Sequence, residues 1–168
     1  MNPLLVNVAE LLRRPGSEKQ VDTVLTAEEL ALPGPRIAPD ADVGVSARLA
    51  SMTDGIVVTA RLSVPWHDTC RRCLAELDEA IDITVHELYQ VLVTTEDAFP
   101  IIGEQIDLTL MVRESILLEL PLAPLCRADC AGICPTCGEN RNDHPCSCEA
   151  VVSDDRWSAL DALREQLN

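Results

Sequence analysis

Aromatic side chains are nearly missing from this sequence: Trp66, Tyr89, Phe99 and Trp157 are the whole complement, 2% of 168 residues. Modules that read single-stranded nucleic acid stack bases on several rings, so a base-reading surface of that kind is excluded. Positive charge is scarce as well. Thirteen arginines and lysines, with Lys19 the one lysine, face 28 aspartates and glutamates for a formal net charge of −15, which excludes coating a phosphate backbone by general attraction. No uncharged apolar run approaches the ~18 residues a membrane span needs, because the most apolar stretch, 106–125, is broken by Asp107, Arg113, Glu114 and Glu119. The start, MNPLLVNVAE, has neither the basic region nor the cleavage site of a secretory signal, so a soluble, cytoplasmic protein without membrane contact is expected. Phosphate-loop (Gly-x4-Gly-Lys-Ser/Thr), nucleophile-elbow (Gly-x-Ser-x-Gly) and zinc-deaminase patterns are absent too, and no pair of carboxylates stands out for acid–base chemistry.

What is present suits one domain over residues 1–168, since 47% apolar residues at this length can bury a real core. Residues 1–40 join an apolar start to a polar stretch and the Pro/Gly-rich LPGPRIAP at 32–39, which reads as an edge element and an N-terminal arm. Within it Thr26 and Glu29 make a capping box that can start one or two helical turns before Pro33 stops them. From 42 to 91 the apolar residues alternate: Val43, Val45, Ala47, Leu49, then Ile56, Val58, Ala60, Leu62, Val64, then Ile81, Ile83, Val85. Period two predicts three half-buried strands, and Thr53-Asp54-Gly55 predicts a tight hairpin between the first two. Over 106–120, Leu108, Met111, Val112, Ser115, Ile116 and Leu120 instead share one face at helical spacing, with Asp107 as N-cap and Pro121 as the stop. Meander and helix together make a body over 42–125. A cysteine-rich segment, 126–149, follows, and Asp154 can cap a last helix over 153–167 with Trp157, Leu160, Leu163 and Leu167 as its apolar stripe. The expected class is α+β: an antiparallel β-meander with a packed helix, a cysteine-rich zinc segment and a C-terminal helix.

The cysteines are spaced Cys70-x2-Cys73, Cys126-x3-Cys130-x3-Cys134-x2-Cys137 and Cys146-x-Cys148. In a reducing compartment such thiols bind metal or do redox chemistry. A Cys-x2-Cys turn places two sulfurs where both reach one zinc at ~2.3 Å, and eight thiolates complete two closed tetrahedral sites, so two Zn2+ per chain are expected. Cys134-Pro-Thr-Cys137-Gly138 has the form of a zinc knuckle, with the glycine free to take a positive φ. Cys146 and Cys148 lie close enough to close that site, which leaves Cys70 and Cys73 to join Cys126 and Cys130. The competing arrangement joins Cys70 and Cys73 to Cys134 and Cys137, and spacing leaves both open. His67 and His144 lie beside cysteine pairs but are not needed once eight cysteines fill two sites, and His86 reads as strand surface. All-cysteine sites offer no open metal position, so no catalytic residue is expected. The alternative is a cytosolic redox sensor that releases zinc on oxidation, and a third reading is a hydrolase or nuclease acting on RNA. Arg71 and Arg72, between two ligands, are expected to offset thiolate charge, with contact to an acidic partner or a phosphate as the other role.

The run CRRCL at 70–74, the helix and exit DLTLMVRESILLELPLAPLC at 107–126, CAGICPTCGENRND at 130–143 and DDRWSALDAL at 154–163 occur in order and resemble the YceD family from about residue 42 onward. Members of that family are named large ribosomal RNA subunit accumulation proteins. The resemblance implies a non-enzymatic part in making or stabilising large-subunit ribosomal RNA, and it implies no catalytic residues. A chain this acidic is repelled by bare RNA at long range. Contact with ribosomal RNA is therefore expected to be indirect, through a basic ribosomal protein or assembly factor acting as partner, with Glu76, Asp78, Glu79 and Asp82 beside Arg71 and Arg72 as the face that meets it.

Overall fold

The computed structural model describes residues 2–148 apart from 33 and 145. The chain forms two compact units: a sheet unit, Met1–Asp68 with Glu76–Leu122, and a cysteine unit, Thr69–Ala75 with the chain from Ala123 on. The C-terminal helix expected over 153–167 lies outside the described residues.

The sheet unit carries β1 (Leu5–Asn7), α1 (Ala9–Arg13), β2 (Glu18–Thr26), β3 (Asp42–Met52), β4 (Gly55–Thr69), β5 (Glu76–Gln90), β6 (Phe99–Pro100), β7 (Gln105–Asp107) and α2 (Thr109–Glu119). The alternation seen in the sequence becomes the two faces of a sheet. Val43, Val45, Ala47 and Leu49 of β3 and Ile56, Val58, Ala60, Leu62 and Val64 of β4 are all buried, while Ser46, Arg48, Arg61 and Ser63 stay exposed. Strands β2 to β5 follow one another as neighbours in meander order, and β6 adds a short parallel fifth strand through Tyr89↔Phe99. Between β3 and β4 the chain reverses through Thr53 and Asp54, with Met52 opposite Gly55. Gly55 has φ +153°, and a Cβ there would lie 2.3 Å from the Tyr89 carbonyl oxygen, so the β4 start approaches β5 in a way that only glycine allows.

The α+β class holds, but the sheet is wider than the three strands expected, and residues 1–40 are not an arm. Strand β2 pairs along its whole length with β3, from Glu18↔Ala50 to Thr26↔Asp42, and β1 pairs with β7 through Val6↔Ile106. The pattern was hidden because β2 is an edge strand in which Leu25 alone is buried, so Lys19, Gln20 and Asp22 dilute its period. The connection from β2 to β3 begins with the expected capping box: Thr26 N–H donates to Glu29 Oε2 at 2.8 Å, and Glu29 N–H donates to Thr26 Oγ1 at 3.2 Å. Further along, Arg36 ties the connection down through an ion pair with Asp68 at 2.8 Å, a bond to the Pro121 carbonyl at 2.7 Å and a position 5.4 Å over the Trp66 ring. Helix α2 buries the face read from its spacing, namely Met111, Val112 and Ile116 with Leu108 and Leu120 at its ends. It starts later than expected. Ile106 and Asp107 belong to β7, and Asp107 Oδ1 accepts the Thr109 N–H at 2.9 Å from just outside the N-cap, Leu108.

Candidate metal centre

Both Cys-x2-Cys turns close through the same backbone cycle. Cys70 N–H donates to the Ala75 carbonyl at 2.8 Å and Leu74 N–H returns to the Cys70 carbonyl at 3.0 Å; Cys134 N–H donates to the Glu139 carbonyl at 2.8 Å and Gly138 N–H returns to the Cys134 carbonyl at 2.8 Å. Such a turn needs its fifth residue in the left-handed region. Gly138 supplies it at φ +77°, whereas the first turn forces Leu74 to φ +61°. Two knuckles of one design therefore stand some sixty residues apart, and nothing in the spacing of CRRCL had marked the first as the strained one.

Each knuckle carries a complete four-sulfur cluster. Cys70, Cys73, Cys126 and Cys130 form one, Cys134, Cys137, Cys146 and Cys148 the other, and within each the sulfurs lie inside 4.8 Å of one another. The alternative joining Cys70 and Cys73 to Cys134 and Cys137 does not occur. All eight thiols are free, and Cys70 Sγ to Cys130 Sγ is 3.8 Å and Cys73 Sγ to Cys126 Sγ is 3.6 Å. A tetrahedron of sulfurs ~2.3 Å from a zinc ion has edges of ~3.8 Å, so these separations fit that metal. His67, His86 and His144 are exposed and belong to neither cluster.

The charge balance argues the same way. The backbone N–H of Cys73 is the main cause that pulls the Cys70 thiol down to about 6, and those of Cys137 and Thr136 pull Cys134 down to about 5. Cys130 is lowered chiefly by the Asn142 amide. Their neighbours move oppositely: burial and the Cys73, Cys130 and Cys70 sulfurs push Cys126 up to about 12, and the Cys137 sulfur with burial does the same to Cys148. In each cluster a sulfur prepared as thiolate makes its neighbour's ionisation costly, and a divalent cation is what lets all four ionise together.

The residues between Cys137 and Cys146 serve both clusters. Asn142 Nδ2 donates to Cys130 Sγ at 3.3 Å while its Oδ1 accepts from Ala131 N–H at 2.8 Å and Arg127 Nη2 at 2.7 Å; next to it Arg141 Nη2 reaches Cys134 Sγ at 3.8 Å. Spacing gave no hint of these two. The reading of Arg71 and Arg72 is answered for the second: Arg72 Nη1 donates to the Cys130 carbonyl at 3.1 Å, and Arg141 is the guanidinium set against a cluster sulfur. Glu76, Asp78, Glu79 and Asp82 are exposed.

The family described as large ribosomal RNA subunit accumulation protein YceD matches residues 58–164, the span that holds both knuckles. This chain belongs to the YceD family. A protein of Mycobacterium tuberculosis is 31% identical over 167 residues, 95% of this chain and 80% of its own length, and one of Mycobacterium leprae is 29% identical over 149 residues, 82% and 67% of the two chains. A protein of Arabidopsis thaliana named large ribosomal RNA subunit accumulation protein YCED homolog 1, chloroplastic, is 33% identical over 69 residues, 41% of this chain and 22% of its own. No solved structure matches the chain. Among the described residues, no helix is long and apolar enough to cross a membrane.

Proposed function

We propose that this YceD protein is a non-enzymatic, zinc-stabilised cytoplasmic factor for the accumulation of large-subunit ribosomal RNA, and that it works through a basic protein partner. Family membership carries the reading. The two four-cysteine clusters support the structural metal, because four sulfur ligands close a zinc site and leave no position for substrate. The acidity of the sheet unit supports the indirect route: its sequence holds 20 acidic residues against 7 basic ones. Opposite charge attracts a ribosomal protein or assembly factor where it repels RNA.

Deleting the gene should lower the ratio of large- to small-subunit ribosomal RNA, and the wild-type gene should restore it. An unchanged ratio overturns the reading. Purified protein should bind protein-free large-subunit RNA no better than the ~10⁻⁴ to 10⁻⁶ M of ordinary non-specific binders. The redox reading draws on the exposure of Cys126 and Cys137, one in each cluster. Zinc release by mild peroxide, followed with a dye and reversed by thiol, would favour it.

A further inference from the structure

In a chain with four aromatic residues, the tyrosine and the phenylalanine meet. Tyr89 of β5 and Phe99 of β6 stack with ring centroids 5.1 Å apart and planes at 22°. They line a groove of about 390 Å³ whose other apolar residues include Leu5, Ile102 and Leu110. Those three are 45%, 73% and 52% exposed, so contiguous apolar surface is left facing solvent at an aromatic base. Carboxylates flank it. Asp107 lines the groove, Glu87 stands two residues before Tyr89 on β5, Asp97 two before Phe99 and Glu114 one helical turn beyond Leu110 on α2, and Asp97 and Glu114 act on Glu87. Burial and these like charges raise the Glu87 carboxyl above its ordinary range. Among the described residues no arginine or lysine forms an ion pair with Glu87, Asp97, Asp107 or Glu114, whereas Glu104 nearby is paired with Arg13 at 3.3 Å.

An apolar groove flanked by carboxylates with which no described arginine or lysine pairs selects its occupant by charge. A second copy of this chain brings a net charge of −15, residues 149–168 bring five acids against two arginines, and a nucleic acid brings phosphate. All three are repelled. We propose that the groove lined by Tyr89, Phe99, Leu5, Ile102 and Leu110 docks a basic segment of a partner protein, whose apolar side chains fill the groove while its arginines or lysines meet Glu87, Asp97, Asp107 and Glu114. Arginine suits the site twice over, because its planar cation also stacks on aromatic faces. The inference rests on the proposed role of a basic partner and moves the contact from the Glu76–Asp82 surface to the groove.

The test is a titration of the full chain, metal loaded, with a fluorescein-labelled arginine-rich peptide carrying two leucines. Ile102→Ser with Leu110→Ser removes exposed apolar surface without touching the core, and should weaken binding about tenfold at unchanged thermal stability. Asp97→Asn with Glu114→Gln should weaken it severalfold and flatten its salt dependence. Glu76→Gln with Asp78→Asn should leave it unchanged. The proposal falls if the serine variant binds as the wild type does, if a peptide with serines for leucines binds equally well, or if the two acid pairs matter alike. It falls equally if the groove variant abolishes a self-association of this chain seen in sedimentation, or if an RNA oligonucleotide competes for the groove. The titration does not depend on the ribosomal RNA ratio that tests the proposed function, so either can fail alone.

Discussion

In the sheet unit Leu49, Ile56, Leu62, Ile106 and Ile116 lie below 2% exposure among buried apolar residues drawn from β1, β3, β4, β5, β7 and α2. In the described part of the cysteine unit the buried residues are Cys70, Cys73, Pro124, Cys130, Gly132 and Cys134, with no leucine, isoleucine, valine or aromatic among them. The charges differ as much. The sheet unit holds 7 basic against 20 acidic residues, while residues 69–75 and 123–148 hold 4 arginines against 3 acids. One unit can fold on what its own side chains bury; the described part of the other buries four cysteines and little else, so a metal on those sulfurs would be what holds it. The acidity is thus carried by the part with the apolar core, and in the other part Arg141 is set against a cluster sulfur.

Chelation should set the two units furthest apart. A structural zinc contributes roughly 10–16 kcal/mol of binding free energy that is also folding free energy, so chelation should abolish amide protection over 126–148 and leave β3 and β4 protected. Hydrogen exchange read by mass spectrometry, beside native mass spectra showing two zinc ions before chelation and none after, checks both halves. Cys137→Ser should do the same locally. Protection of 126–148 that survives without metal would mean that the unit is held by something other than its sulfurs.

The converse experiment attacks the core. Leu49→Ala removes a fully buried side chain from the centre of β3 and should cost about 2–5 kcal/mol of sheet-unit stability, seen as a lower urea midpoint of the strand circular dichroism. Zinc content per folded chain should not change. A variant that loses zinc in proportion to its lost stability would show the two units to be energetically coupled.

A finer cut separates the two clusters. Asn142 stands with one amide on Cys130 and Ala131 and takes Arg127 on its oxygen, so Asn142→Ala removes an outer support from the Cys70/Cys73/Cys126/Cys130 cluster and nothing direct from the other. Loss of such support costs about 10–100-fold in metal affinity. Under stepwise chelation, native mass spectra should show the variant dwelling at one zinc per chain at chelator levels where the wild type keeps two. Simultaneous loss of both ions would mean that residues 139–143 transmit the damage across.

Some of this was legible in residue order and some was not. Strands β3 and β4 could be read because they bury one face and wet the other, and the face of α2 could be read from its spacing for the same reason. Strand β2 could not, because an edge strand with one buried residue need not alternate strongly. The count of two four-cysteine clusters followed from spacing, but which cysteines share a cluster depends on the fold between residues 73 and 126, which spacing does not encode. Asn142 and Arg141 were invisible because a side chain that supports a ligand carries no motif. The groove at Tyr89 and Phe99 was hidden likewise: β6 is two residues long and joins β5 in parallel, a pairing no local pattern announces.

The smallest effect comes from setting the two knuckles against each other. They share one hydrogen-bond cycle and differ at its fifth residue, Leu74 at φ +61° in one and Gly138 at φ +77° in the other. A side chain in that region costs ~1–2 kcal/mol, and Leu74 recovers little of it by packing, since it is 61% exposed. Leu74→Gly relieves the strain but loosens the unfolded chain by ~0.5–1 kcal/mol, so the net gain should be under ~1 kcal/mol. Gly138→Leu imports the strain and should lose about as much as Leu74→Gly gains. In chelator competition the first variant should hold zinc about twofold more tightly at the Cys70/Cys73/Cys126/Cys130 cluster, and the second about twofold more loosely at the other. Equal retention in both variants would show that the fifth position is not set by the knuckle, and the likeness of the two turns would then carry no energetic meaning.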